Sequence, residues 1–373
     1  MRSHRLQGPA FGAIALALAV LSAEASPASA EPGVRIESGI VFATHDGVSL
    51  KLDAYLPTSS GPHPGVILIH GGGWYTGLRG WDHQLAVALA GAGFAGFGVD
   101  YRLAPEFVYP AQVEDLQAAV RWVRAHASEF DVDPERVGAL GESAGGHLAA
   151  LLAVLGSGAR DAGSRVDAAV SLSGPMDLSA LLADRGNARV GKTLTGREAI
   201  EQFLGCRGHA CAGPLRNASP LTYVDASDAP MLLANSTHEV IPLSQATEMA
   251  AAFREAHVPI RLLEIPGTAH GFSYLLSRIP GSGDTVLNTA IAFLRARLGE
   301  SRTPAPTPPA GRGPGAAVLV VAMALAGIAG SAFLVRRARA RRARLLRRAL
   351  QDQGPVEPSA LSETTTRTPA PGS

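Results

Sequence analysis

A serine set between small residues, Gly141-Glu142-Ser143-Ala144-Gly145, has more chemical content than any other short run in this sequence. In a Gly-x-Ser-x-Gly pattern the chain turns so sharply from strand to helix that the flanking positions need minimal side chains. The serine is thereby pushed up into a cleft. The context suits such a turn. Arg136-Val137-Gly138-Ala139-Leu140 reads as the strand before it, and His147-Leu148-Ala149-Ala150-Leu151-Leu152 as the helix after it. A serine hydroxyl is a poor nucleophile until a base takes its proton, and the base needs a carboxylate to orient it.

After an elbow of this kind the partners follow in the order serine, acid, histidine, each on a loop after a later strand. His270, in Gly267-Thr268-Ala269-His270-Gly271-Phe272, comes just past an apolar strand pattern over residues 260–265 and is the candidate base. After Met231-Leu232-Leu233-Ala234 the chain reads Asn235-Ser236-Thr237-His238-Glu239-Val240-Ile241-Pro242, whose one carboxylate, Glu239, is the candidate acid. Asp225 and Asp228 precede that strand and are expected at the far end of the sheet. A tetrahedral intermediate carries an oxyanion that needs backbone N–H donors already aimed at it. His70-Gly71-Gly72-Gly73-Trp74 follows the strand pattern Val66-Ile67-Leu68-Ile69, so the amides of Gly72, Gly73 and Ala144 are the candidate donors. A glycine-rich loop can instead cradle phosphate, but the lysine of a P-loop is absent. His70 is expected to brace its loop, and His147 to pack inside the helix after the elbow.

Elements must hold these residues in place. Short apolar runs at 66–69, 94–99, 136–140, 168–172, 231–234 and 260–265 predict strands, with a half-exposed early strand where Leu50, Leu52, Ala54 and Leu56 alternate with polar residues. Helical patterns separate them at 84–89, 244–253 and 284–298. Another starts at Pro110 and places Val113, Leu116, Val120 and Val123 on one face. Strand and helix alternating in this way predict an α/β fold, a mainly parallel central sheet with helices on both faces. Residues 178–218 fit the alternation least and are expected as an insertion over the site.

The chain has 373 residues, 46% hydrophobic and 17% charged, with a net charge of +1. That balance argues against a nucleic-acid partner, since a basic excess on the folded part is missing. The first thirty residues (1–30) have a basic start, an apolar run from Phe11 to Leu21 and the small residues Ala28-Ser29-Ala30, as in a secretory signal peptide. Residues 301–314 form a Pro-rich linker after the domain at 34–300, and residues 315–335 contain no charge. A helix of that length reaches about 30 Å, the thickness of a bilayer core, and predicts a single transmembrane span. Arg336, Arg337, Arg339, Arg341, Arg342 and Arg344 follow at once, which places the tail (336–373, basic then disordered) in the cytoplasm and the folded domain outside the cell membrane. Only Cys206 and Cys211 are present. In an exported protein a small disulfide loop is expected of them, with unlinked thiols the alternative, and a metal site would need more ligands.

Four ordered motifs carry a family resemblance over roughly residues 41–298: His70-Gly71-Gly72-Gly73-Trp74, Asp100-Tyr101-Arg102-Leu103-Ala104-Pro105-Glu106, Gly141 to Gly146, and His270-Gly271-Phe272. They resemble the hormone-sensitive-lipase-like carboxylesterases of the α/β-hydrolase fold, and most of all their bacterial feruloyl-esterase-like branch. The resemblance implies a carboxylic-ester hydrolase without cofactor, acting on a small-molecule or polysaccharide-linked ester. Its triad would map onto Ser143, Glu239 and His270. One departure stands out. The family usually has an aspartate in Gly-x-x-Asp-x-x-Val-Pro, whereas here Asn235-Ser236 opens the loop and the acid is Glu239, one position nearer the proline. Two alternatives share this chemistry or this fold: an arylformamidase-type amide hydrolase, and a non-catalytic binding module, which usually lacks the nucleophile.

Overall fold

The computed structural model describes residues 32–185, 189–190 and 194–299. The expected signal peptide, linker, transmembrane segment and basic tail lie outside the described residues. Among the described residues no helix is long and apolar enough to cross a membrane.

The chain opens with a hairpin of β1 (Val34–His45) and β2 (Val48–Pro57), joined at Asp46-Gly47, both with positive φ. Asp-Gly is a preferred pair for a two-residue turn whose twist matches the strands. Strand β1 is an element the apolar pattern misses. Its pairing with β2 shifts between Glu37 and Ile40 and again between Val41 and Ala43, and such bulges break the alternation that marks a strand. Strands β3 (His63–Ile69), β4 (Ala95–Val99) and β5 (Val132–Glu142) follow, with α1 (His83–Gly91) and α2 (Ala111–Ala125) between them. After the elbow come α3 (Ala144–Leu155), β6 (Ala169–Leu172) and α4 (Leu178–Arg185), then the short pair β7 (Arg189–Val190) and β8 (Leu194–Thr195). The domain closes with α5 (Gly196–Leu204), α6 (Ala212–Asn217), β9 (Met231–Ser236), α7 (Leu243–Glu255), β10 (Ile260–Ile265) and α8 (Val286–Leu298).

Eight strands form one sheet in the order β1-β2-β4-β3-β5-β6-β9-β10, parallel from β4 onward, with β2 antiparallel to both its neighbours. Side chains alternate between two cores, as the period of two requires. Ile67, Ile69, Val137, Ala139, Met231 and Leu233 join the core under α2, α3 and α7, and Val66, Leu68, Leu140, Leu232 and Ala234 join the core under α1 and α8. The expectation of a half-exposed early strand holds at Ser49 to Lys51, where exposed residues flank buried Leu50, and needs correction beyond them. Leu52 to Leu56 are all buried, because Leu52, Ala54 and Leu56 face one core and Tyr55 the other.

The parallel order puts the loops after β3, β5, β6, β9 and β10 side by side along one edge of the sheet, where the carboxyl ends of parallel strands form a crevice. Asp225 and Asp228 precede β9 and lie at its other end, where the Ala229 N–H donates to Ala153 O. Residues 178–218 contribute α4, the β7–β8 pair, α5 and α6. Helix α5 begins with a capping box between Thr195 and Glu198, and a disulfide joins Cys206 to Cys211 just beyond its end.

Candidate active site

Ser143 sits at the turn from β5 into α3 with φ 52° and ψ −120°, a conformation a non-glycine residue holds only when its surroundings impose it. Two hydrogen bonds do so. Its N–H donates to Leu172 O at 2.8 Å, and its carbonyl accepts from His147 N–H at 3.0 Å. The tightness of the turn explains Gly145, where a Cβ would collide with the carbonyl oxygen of Ile69. Helix α3 is buried along its whole length and points its N-terminus, the Ala144 amide included, into the crevice.

His270 ends the loop after β10, and its Nδ1 makes a short hydrogen bond with Glu239 Oε2. The carboxylate of Glu239 is fully enclosed, while the imidazole keeps about a third of its surface exposed (31%). Burying a carboxylate is costly unless donors replace water, and here three do. Glu239 Oε1 accepts from Ser236 N–H at 2.8 Å, Ser173 Oγ at 2.8 Å and Asn235 Nδ2 at 3.0 Å. The unusual loop is thereby accounted for. The acid is one residue nearer Pro242 than an aspartate would be, its extra methylene carries it to the imidazole, and Asn235 also ties the loop down through Ile241 O at 3.0 Å.

On the opposite side, Gly72 and Gly73 have φ +102° and +60°, and the Tyr75 and Thr76 amides both turn back onto Gly72 O at 3.3 and 3.2 Å. The loop is braced from behind. Tyr101 Oη donates to His70 O at 3.0 Å, and the His70 ring stacks on Tyr101 with centroids 4.3 Å apart and bonds through Nδ1 to Gly71 O at 2.8 Å. Burial pushes the His70 imidazole below its usual pKa, which favours a neutral ring in that role. The Asp100-Tyr101-Arg102 motif explains itself in the same terms: Arg79 clasps Asp100 and Asp53, and Arg102 clasps Asp115. His147 is also structural. It receives Trp74 Nε1–H on Nδ1 at 3.2 Å and bonds through Nε2 to Ala218 O at 2.7 Å, and burial lowers its pKa to about 4.

Ser143, His270, Gly72, Gly73 and Ala144 line one cavity of about 330 Å³. Its remaining wall is mostly apolar and includes Leu181, Ala199 and Ile200 from the 178–218 region. Such a site can activate a hydroxyl, hold a developing oxyanion with backbone amides and admit a small apolar ligand. No group of three or more side chains suited to a metal occurs among the described residues. Three contributors escape a sequence reading: Ser173, Tyr274 and Glu142. Ser173, with φ +53°, follows β6 at the functional edge of the sheet, accepts from Gly271 N–H at 2.9 Å and touches Tyr274 Oη at 2.9 Å. The one available signal was its position, a polar residue just past the carboxyl end of a parallel strand.

The sequence profile of the BD-FAE family matches residues 52–253, more than half of the chain. The chain belongs to the BD-FAE family. This family member is 33% identical over 280 residues to the carboxylic ester hydrolase LipN of Mycobacterium tuberculosis, covering 72% of this chain and 73% of LipN. It is 31% identical over 235 residues to LipM, a probable carboxylic ester hydrolase of the same organism, covering 58% of this chain and 51% of LipM. The BD-FAE chain thus spans about half the length of LipM, and 43% of the M. tuberculosis carboxylesterase NlhH. Among solved structures, a truncated carbohydrate esterase from gut microbiota superposes with a TM-score of 0.61 at 24% identity, over 73% of this chain and 99% of that one. The Thermogutta terrifontis esterase Est2 superposes with a TM-score of 0.53 at 26% identity, over 71% of this chain and 91% of Est2, and esterase 2 of that species is known phosphorylated by paraoxon. The fold is that of the α/β-hydrolase esterases.

Proposed function

We propose that this BD-FAE member is a serine carboxylesterase in which Ser143 attacks the ester carbonyl and an acyl-enzyme forms. The observation that carries the proposal is the meeting of Ser143 and His270 in one cavity, with His270 held from behind by Glu239. His270 Nε2 takes the hydroxyl proton as Ser143 Oγ bonds to the carbonyl carbon. The Nδ1–H bond to Glu239 fixes the tautomer that leaves Nε2 free and stabilises the imidazolium. The amides of Gly72, Gly73 and Ala144 take the oxyanion, each such donor contributing about 10²- to 10³-fold in kcat. The imidazolium then protonates the departing alcohol, and water returns through the same steps to release the acid. Relatives named as carboxylic ester hydrolases and carboxylesterases support the reaction class. The cavity of about 330 Å³ lies near the small end of ligand sites, which favours a short acyl chain. Trp81 sits at its wall, half exposed, where a bulkier small-molecule or polysaccharide-linked alcohol would extend.

The same reading places the enzyme outside the cytoplasm, exported through residues 1–30 and held in the cell membrane by residues 315–335. The charge-free run ahead of an arginine cluster supports the anchor, and the Cys206–Cys211 disulfide fits an oxidising compartment. Two measurements test the proposal. A fluorophosphonate should label the wild-type protein and leave Ser143→Ala unlabelled. Protease added to intact cells should release the folded domain, and full protection of the domain defeats the topology.

A further inference from the structure

Glu142, next to the nucleophile, is a partly buried carboxylate at the cavity wall with no step of its own in the reaction above. Its two oxygens meet two different loops. A Cβ on Gly71 would overlap Oε1, and a Cβ on Gly271 would overlap Oε2. Both loops present bare backbone where the carboxylate lies. Gly71 does not have a positive φ, so its missing side chain makes room for the carboxylate and serves no unusual backbone conformation. The Gly71 and Phe272 amides act on this carboxylate in the direction that favours its ionised form. Gly71 opens the loop that contains Gly72 and Gly73, and Phe272 lies two residues after His270.

We propose that Glu142 is a positioning residue: its carboxylate ties the oxyanion loop to the histidine loop and so sets the distance between the oxyanion amides and the base. The inference rests on the serine-esterase reading of the same cavity. An ionised carboxylate suits the task because it accepts at both oxygens and donates at neither. A carboxamide of the same shape offers one acceptor and one donor, so its NH₂ would confront one of the two peptide N–H groups. An aspartate keeps the charge and is one methylene too short to span both loops.

The surroundings make the ionised state sensitive to pH. Burial pushes Glu142 above the usual carboxylate range, while the charge of His270 and the Phe272 and Gly71 amides pull the other way and the charge of Glu239 adds to the rise. Buried Asp82, whose Oδ1 has no hydrogen-bond partner among the described residues, is raised to about 7 by burial and by the charge of Glu142. Tyr101 and Tyr274, the remaining titratable groups that feel this charge, are held well above their ordinary range by burial and stay neutral. Protonating Glu142 converts one acceptor into a donor and would release one loop.

The decisive variant is Glu142→Gln in the full chain, assayed with 4-nitrophenyl acetate. We expect kcat to fall about 10- to 100-fold with KM within about threefold, the range a displacement on the order of 1 Å at a reacting centre produces. The acid limb of log kcat against pH should be shallower in the variant than in wild type, because position 142 no longer has a proton to lose. Wild-type kcat and an unchanged acid limb in Glu142→Gln would overturn the proposal. If that variant does not fold, Glu142→Asp must show the same loss of kcat, and wild-type turnover in it overturns the proposal equally. A wild-type protein that neither turns over the ester nor accepts a fluorophosphonate defeats the esterase reading instead, so the two failures are distinguishable.

Discussion

The edge of the sheet and the 178–218 region build one cavity by opposite means. At the edge the functional residues are tied down by hydrogen bonds: Ser143 through its N–H to Leu172 O, Glu239 through three donors, and the oxyanion loop through Tyr101 and His70. The 178–218 region contributes short helices and a mostly apolar wall, Leu181, Ala199 and Ile200, to which Arg189 adds a charged residue. The difference teaches a division of labour. Chemistry is assigned to strand ends that cannot move without breaking buried hydrogen bonds, and substrate fit to an insertion whose lining is mostly apolar.

That division predicts a graded series of effects. Removing the nucleophile should be largest: Ser143→Ala should lower kcat at least about 10⁴-fold while thermal unfolding stays within about 2 °C, because the turn is held by backbone bonds. Glu239→Gln should cost about 10³- to 10⁴-fold in kcat by favouring the wrong imidazole tautomer, as titration against 4-nitrophenyl acetate would reveal. A variant within tenfold of wild type would show that the carboxylate is not orienting the base. Ser173→Ala removes one donor to Glu239 and the acceptor for Gly271 N–H, and should lower both unfolding free energy by about 1–3 kcal/mol and kcat by about tenfold. An unchanged kcat would confine Ser173 to folding.

A pH experiment sharpens the same contrast. His147 is neutral when folded, its pKa lowered to about 4 by burial, whereas an unfolded histidine titrates near its ordinary 6.5. A lowered histidine pKa means that the unfolded chain binds the extra proton first. Its stabilising contribution is therefore complete above about pH 6.5 and is lost as pH falls towards 4, to a total of about 3 kcal/mol. Urea midpoints for wild type and His147→Gln should converge over that window, and parallel curves would rule the assignment out. The smallest effects belong to the insertion. Ile200→Ala should change the ratio of butyrate to acetate turnover by severalfold and leave acetate kcat within about twofold, since one cavity methylene changes discrimination by about 1–3 kcal/mol at most.

Particular residues show what was legible. Gly141-Glu142-Ser143-Ala144-Gly145 declares a turn because its steric demand is local: only small residues allow the chain to pass so close to itself. Met231-Leu232-Leu233-Ala234 and the run at 260–265 declare buried strands by composition, and the loops after them pointed to Glu239 and His270. Strand β1 was hidden because its bulges spoil the periodicity.

What local pattern determined here was which segments are strands, where the sharp turn falls, and which loops offer a base and a carboxylate. What only the tertiary structure decided is which groups touch. Ser173 is 66 residues from Glu239 and 98 from Gly271, yet one hydroxyl serves both. Glu142 meets loops on both sides of it in sequence. Those contacts depend on strand order and register, and hydrophobic alternation specifies a strand's faces without naming its neighbour.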